Sequence, residues 1–267
     1  MARITQVAGD AGAGLHSLPR HRTSYPARRV LRADRRGSSW PIVVETDAGL
    51  FHTKLRGAAQ APASLIAEII VGGLADALGL LVPPRVWIDL PADVPVDDPH
   101  EELAQLIRFS GGRNLGFQYL QNVQDFQLRD APRVDPRLAS TIVWLDGLVQ
   151  NPDRTVRNSN LLWSQQQLWL VDHGASLGFH HRWHEVTEDS PRLGGWPRAD
   201  HILKSRATEM HSVDTGLADI LNRPTLERAV GEVPDEYFSE NENSSRRRAA
   251  YVAFLWKRLK NPRPFVG

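Results

Sequence analysis

Three oxygen-bearing side chains in this sequence are spaced for chemistry on a phosphoryl group. Asp153 and Asn158 stand five residues apart in the polar stretch Asn151-Pro152-Asp153-Arg154-Thr155-Val156-Arg157-Asn158. A second acid, Asp172, precedes His173 and Gly174 after a short apolar run. Magnesium prefers hard oxygen ligands, so an amide and a carboxylate, here Asn158 and Asp172, suit it. A hydroxyl nucleophile needs an oriented acceptor for its proton, and Asp153 is the candidate. The charge developing on a transferring phosphoryl group must be neutralised by metal and nearby cations, and Arg154 and Arg157 are candidates to add to that field. Asn, Pro, Asp and Arg are also ordinary loop residues, so the spacing alone is weak evidence. Coupling to Asp172-x-Gly after a hairpin strengthens it.

The flanking elements must position these groups. Asp135-Pro136 reads as a helix N-cap followed by proline at the first helical position. The helix runs through Leu138, Ile142, Val143, Leu145 and Val149. A polar loop over 151–160 follows, then short strands at Leu161–Trp163 and Leu168–Val171, joined by Ser164–Gln167. Further upstream, structure is expected to begin near Ser38. Pro41–Thr46 and Leu50–Leu55 read as a hairpin around the turn Asp47-Ala48-Gly49. Gly57–Ala63 reads as a loop, and Ser64 as the cap of a helix running to about Leu78. Gly79 ends that helix. Arg85–Leu90 is expected to be a strand, Glu101–Phe109 a strand or short helix, and Gly111–Gly116 a turn. Helical patterns recur near Leu217–Leu221, Thr225–Val230 and Ser245–Leu259.

The upstream hairpin and helix supply an independent check. Enzymes that move phosphoryl groups with a kinase-like small lobe place a lysine on a strand and a glutamate on the next helix to orient it. Lys54 falls on the second hairpin strand, and Glu68 one turn into the following helix. Each alone is more simply a solvated surface residue. Glu68, however, is flanked by Leu65, Ile66, Ile69 and Ile70. An acid beside an apolar stripe needs a partner.

Composition narrows the remaining classes. The 267 residues allow one large domain or two lobes. Lys+Arg of 32 against Asp+Glu of 31 gives a net charge of +1, which implies no particular partner. There is no cysteine, so disulfides and thiolate metal sites are excluded. No apolar run is long enough for a membrane span, and a cytoplasmic protein is the expectation. The seven arginines between Arg20 and Arg36 face one acid, Asp34, and read as a flexible, solvated leader over 1–36 rather than a nucleic-acid arm. His180, His181 and His184 lack a completing ligand and read as packing or activation-segment residues. Trp144, Trp163 and Trp169 read as core, and Arg246-Arg247-Arg248 as a solvated helix face.

From about Gly37 onward the chain resembles the HipA-like kinases, in particular their stand-alone kinase domains. The resemblance is carried by Gly37-Ser38-Ser39 with Pro41–Glu45, by Lys54-Leu55-Arg56-Gly57, and by the Glu68 helix with Leu78-Gly79-Leu80. Its most specific parts are Asn151-Pro152-Asp153-Arg154-Thr155 with Asn158, and Leu168–Leu177 with Phe179-His180-His181. Trp40 and Ser159 depart from the family pattern without removing a catalytic group. The resemblance implies an α+β, bilobal protein-kinase-like fold, with a strand-rich N-terminal lobe over 37–120 and a helix-rich C-terminal lobe over 121–267. It implies ATP and Mg2+, with transfer to a protein Ser or Thr hydroxyl. By motif position, Asp153 is the catalytic base, Asn158 and Asp172 are metal ligands, and Lys54, oriented by Glu68, holds nucleotide phosphates. Ser38 and Ser39 would lie in a phosphate-covering turn, and Phe117–Tyr119 in the connector that binds adenine. A protein acceptor is the expected partner, with an antitoxin-like regulator as a further candidate and no role for membrane. Two alternatives stay open: a nucleotide-binding interaction module without turnover, and a kinase for a small-molecule or lipid hydroxyl.

Overall fold

The computed structural model describes residues 23–33, 41–58, 61–91, 93–194, 199–239 and 243–266. Its first half is built on a six-stranded sheet. The strands are β1 (Ser24–Pro26), β2 (Arg29–Ala33), β3 (Ile42–Thr46), β4 (Gly49–Lys54), β5 (Arg85–Leu90) and β6 (Gly112–Gln118), in the order β1-β5-β6-β4-β3-β2. Only the β1–β5 pair is parallel. Helix α1 (Ala61–Ala77) follows β4, and helix α2 (Glu101–Phe109) lies between β5 and β6.

Alternation along the strands divides two cores. Val86, Ile88 and Leu90 of β5 pack with Phe51, Ile42, Leu103 and Ile107 on the α2 side. Trp87 and Leu115, of opposite parity, join the larger core on the α1 side. That larger core continues without a break into the second half of the chain. There stand α3 (Pro136–Val149), α4 (Met210–Ile220), α5 (Arg223–Gly231), α6 (Ser244–Arg258) and a small sheet of β7 (Gln124–Asp125), β8 (Leu161–Ser164) and β9 (Gln167–Leu170). Helix α1 packs on α5, so the sheet half and the helical half share apolar contacts.

Helix α3 is the axis of the second half, with every residue from Ala139 to Val149 buried. Asp135 caps its start, accepting the Leu138 N–H at 3.0 Å, with Pro136 in the first turn. Its last turn leaves carbonyls without helical partners. Arg258 of α6 meets them, donating to Gly147 O at 2.8 Å and Leu148 O at 2.9 Å. The same guanidinium reaches Pro191 O and Leu193 O, at 2.9 and 3.0 Å. The C-terminal helix thereby fixes the end of α3 from which the Asp153 loop departs.

Several expectations change here. Ordered structure begins before Ser38: two strands lie inside the arginine-rich stretch read as a flexible leader. Their anchors are Val30, fully buried under the sheet, and the pairing of Ser24–Pro26 with β5. The arginines mask this strand: Val30 is buried while Arg29 and Arg32 are exposed, with a register shift between Val30 and Arg32 that breaks simple alternation. Gly111–Gly116 is not a turn; most of it is β6, inside the sheet between β5 and β4. Two glycines and an asparagine weaken its strand signal, and both residue types have tertiary reasons. A Cβ on Gly116 would lie 2.6 Å from Ile88 Cγ1. Asn114 is fully buried and satisfied by Arg56 N at 2.8 Å, Ser110 O at 2.8 Å and Gly112 O at 2.9 Å. Helix α1 starts at Ala61, so Pro62 is helical and Ser64 sits inside the first turn instead of capping it. Proline fits there because a first-turn N–H has no helical acceptor anyway. Glu101–Phe109 is a helix. The Arg246-Arg247-Arg248 face is only partly solvated: Arg247 lies over the Trp183 ring at 4.6 Å, and Arg248 pairs with Asp235 at 2.7 Å. No helix among the described residues is long and apolar enough to cross a membrane.

Gly116→Ala is expected to destabilise the protein by about 1–3 kcal/mol through overpacking against Ile88. Urea unfolding measures it, and an unshifted midpoint would contradict the close approach.

Candidate active site

A cavity of about 860 Å³ opens between the sheet and the helical half. Lys54, Glu68, Asn158 and Asp172 all line it. Lys54 is the last residue of β4, and its Nζ donates to Glu68 Oε1 at 2.6 Å and to Asp172 Oδ1 at 2.7 Å. Glu68 is fully buried in α1 among Leu65, Ile69 and Ile70, and an acid survives there only with a cation at hand. Asp172 follows β9 in a left-handed conformation, with φ of 54°, and its side chain is 45% exposed to the cavity. Burial alone would lower the Lys54 pKa, but Glu68 and Asp172 together outweigh it and raise it. Burial alone would raise Asp172, and Lys54 instead holds its carboxyl below the usual range. Glu68 is pushed upward by burial, against the pull of Lys54. One ammonium thus faces two carboxyl groups, Glu68 in the protein interior and Asp172 at the cavity wall.

Gly174 explains why a glycine closes the Asp172-His173-Gly174 string. A Cβ there would meet Ser64 Oγ at 2.2 Å and Glu68 Oε1 at 3.5 Å. The chain passes so close to α1 that a side chain at 174 would force the Ser64 hydroxyl to move, while Glu68 would be met only at ordinary contact distance.

The Asp153 loop is held from beneath. Asp146, buried in α3, accepts from Arg154 Nε at 2.6 Å and Asn151 Nδ2 at 2.8 Å. His201 Nε2 lies 3.0 Å from the same carboxylate. His201 Nδ1 accepts the Leu203 N–H, so the ring proton sits on Nε2 and is donated to Asp146. Burial would raise the Asp146 pKa, but Arg154 and His201 overcome it and hold this carboxyl well below the usual range. Arg154 also donates to Asn160 O and lies 3.3 Å from His173 Nδ1. Above this layer, Asp153 Oδ2 accepts from Asn158 Nδ2 at 2.9 Å and from Asn160 Nδ2 at 3.0 Å.

The expected residues fall into two groups. Lys54, Glu68 and Asp172 meet in one ion cluster, and Asp153 and Asn158 are bonded to each other. Ser38 and Ser39 lie outside the described residues. Phe117 and Gln118 end β6 and Tyr119 follows it; all three line the cavity, with Tyr119 stacked on His52 at 4.8 Å. Arg154 does not face a reacting phosphoryl group: it is 1% exposed and committed to Asp146, whereas Arg157 does line the cavity. His180 packs in the core with Nδ1 3.0 Å from Tyr251 Oη, and His184 is exposed. Sequence reasoning missed Asp146, Asn160 and His201. An acid inside the apolar run of α3 was the available signal for Asp146. His201 carries none, because only the bridge between Thr155 and His201 brings its segment to the loop.

Residues 28–263 match the family described as HipA-like kinase. The chain belongs to the HipA-like kinases. A comparison with curated proteins finds no match. Among solved structures, the chain is similar to the crystal structure of the Helicobacter pylori proinflammatory kinase CtkA. The TM-score is 0.56 and the identity 11%, over 91% of this chain and 95% of that one. The likeness supports a bilobal kinase-like fold for this HipA-like kinase. The strand-rich sheet and the helical half are its two parts, with the cavity between them.

A divalent cation fits the donor set of this HipA-like kinase. Lys54 holds the Asp172 carboxyl below its usual range, and Asp172 presents part of it to the cavity. Asn158 uses its Nδ2 on Asp153, which leaves its amide oxygen to bind. Among the described residues no three His, Asp or Glu side chains converge as ligands.

Two outcomes follow for the buried polar layer. Asp146→Ala leaves Arg154 as an unpaired buried cation and is expected to cost about 3–5 kcal/mol, read by urea unfolding. His180 is pushed down to about 3 from its ordinary 6.5, by burial and by His181. The unfolded chain therefore binds its proton first, and stability is lost as pH falls from 6.5 towards 3. His180→Gln is expected to shallow the decline in stability over that window by up to one proton's slope. Identical slopes for variant and wild type would show that His180 titrates normally.

Proposed function

We propose that this HipA-like kinase transfers the γ-phosphoryl group of Mg-ATP to a hydroxyl, that of a protein Ser or Thr. The observation that carries the reading is the three-way contact of Lys54 with Glu68 and Asp172 on a cavity wall shared with Asn158. These groups come from a strand, a helix and two loops far apart in sequence. A structural ion pair would need one acid; here one ammonium is shared by two.

Roles follow from the contacts. Lys54 swings between its carboxylates and the nucleotide phosphates, with Glu68 keeping it at the cavity wall. Asp172 and the Asn158 amide oxygen would hold magnesium, which shields phosphate charge when bound. Asp153 is not among the cavity-lining residues, but its hydrogen-bond partners Asn158 and Asn160 are, so its carboxylate adjoins the cavity. Its Oδ2 is occupied by two amides, and its Oδ1 is left to take the hydroxyl proton. The acceptor oxygen then bonds to the γ-phosphorus as the bond to the bridging oxygen breaks. ADP leaves, and the proton remains on Asp153. Arg157 lines the cavity and adds positive potential near the transferred group. A protein acceptor makes the loop surface beside Asp153 its docking side.

Calorimetry with ATP, with and without Mg2+, tests the binding half. Wild type is expected to bind Mg-ATP, Lys54→Met to lose affinity at least about tenfold, and Asp172→Asn to lose the magnesium dependence. Labelled ATP with a cell lysate tests the transfer half, where Asp153→Asn is expected to drop labelling by roughly 10²–10⁴-fold while still binding nucleotide. Absence of Mg-ATP binding by the wild type would sink the reading. Label appearing only in small molecules or lipid would keep the kinase and move its acceptor class.

A further inference from the structure

We propose that Asn160 is a positioning residue for phosphoryl transfer, its side-chain amide clamping the Asp153 carboxylate against the main chain of Asp172. Its Nδ2 lies 3.0 Å from Asp153 Oδ2, and 3.5 Å from both Asp153 O and Asp172 O. One amide therefore touches the two acids on which the proposed reaction depends. This inference rests on the assignment of Asp153 as the acceptor of the hydroxyl proton.

The clamp is itself anchored. Asn160 immediately precedes β8, and the pairing of Leu161 with Leu170 sets it beside the end of β9. Its carbonyl accepts the Val171 N–H at 3.1 Å and a guanidinium N–H of Arg154. Arg154 is in turn fixed by Asp146. The chain of contacts runs from the buried layer through Asn160 to both carboxylate-bearing segments.

Asn158 donates to the same Asp153 oxygen but differs in anchorage. It is exposed, on a turn closed by Thr155 N to its own carbonyl at 2.8 Å. A metal ligand drawn towards magnesium can shift with the loop, whereas Asn160 is pinned by the small sheet. With Oδ2 held by Asn160, Oδ1 keeps a constant direction towards the incoming hydroxyl. Misplacement of about 1 Å at such a group can cost a hundredfold in rate.

A simpler reading is that asparagine stands here only because φ is +47°, a left-handed conformation it tolerates. Asn160→Gly separates the two, since glycine adopts that backbone more readily and has no amide. In full-length protein, Asn160→Gly is expected to unfold at the wild-type temperature, keep the nucleotide KM, and lose roughly 10- to 100-fold in kcat for labelling of the lysate acceptor. Asn160→Asp keeps the shape, lacks the N–H, and is expected to lose kcat likewise. Wild-type kcat in Asn160→Gly overturns the proposal, as does a raised KM with unchanged kcat, which would make Asn160 a nucleotide contact. A readout without turnover separates this from failure of the kinase reading. In asparagine-labelled protein, the Asn160 side-chain NH2 resonance is expected to shift when Asp153 is replaced by Ala. An unmoved resonance overturns the clamp whether or not the enzyme transfers phosphate.

Discussion

The sharing of one lysine between two carboxylates is the constraint on which the active-site architecture depends. Lys54 bonds Glu68, fourteen residues on, and Asp172, 118 residues on. These contacts tie the sheet, helix α1 and the segment after β9 at one point. Each partner alone would be expensive to bury, and the trio is tolerable because every member gains at least one charged neighbour. The segment after Asp172 also passes close to α1, where a side chain in place of Gly174 would collide with the Ser64 hydroxyl.

Beneath the site lies a second polar layer that does no chemistry of its own. Asp146 collects Arg154, Asn151 and His201 inside an otherwise apolar helix surface. Its role is geometric. The loop between α3 and β8 has many conformations available to it, and a buried guanidinium with three partners, Asp146, Asn160 and His173, selects one of them. Arg258 supports the layer from the far end of the chain by satisfying the last carbonyls of α3. The Asp153 loop is thus fixed at its entry, its middle and its exit.

How much of this was legible beforehand follows from the range of each interaction. The elements flanking the site were readable: β5 matches its expected bounds, and the start of α3 matches at Asp135-Pro136, because local rules of alternation and capping govern them. Elements with tertiary causes were not. Strand β6 looks like a turn because Gly116 answers to Ile88 and Asn114 to Arg56, neither of which a local window contains. Strand β2 was hidden by its two exposed arginines, Arg29 and Arg32. Arg154 was misread because a cation beside a candidate base suggests phosphate, until Asp146 is seen to hold it.

The sequence by itself determined the chemical inventory of this HipA-like kinase: a lysine on a strand, a glutamate in an apolar helix face, and Asp153, Asn158 and Asp172 in loops with fixed spacing. Spacing and periodicity are local properties, so they survive without coordinates. Only the tertiary structure decided which of these groups touch. It joined Lys54 to Asp172, turned Arg154 inward and brought Asn160 between the two acids, because contacts across 118 residues are set by packing of the whole core and not by any neighbouring residue.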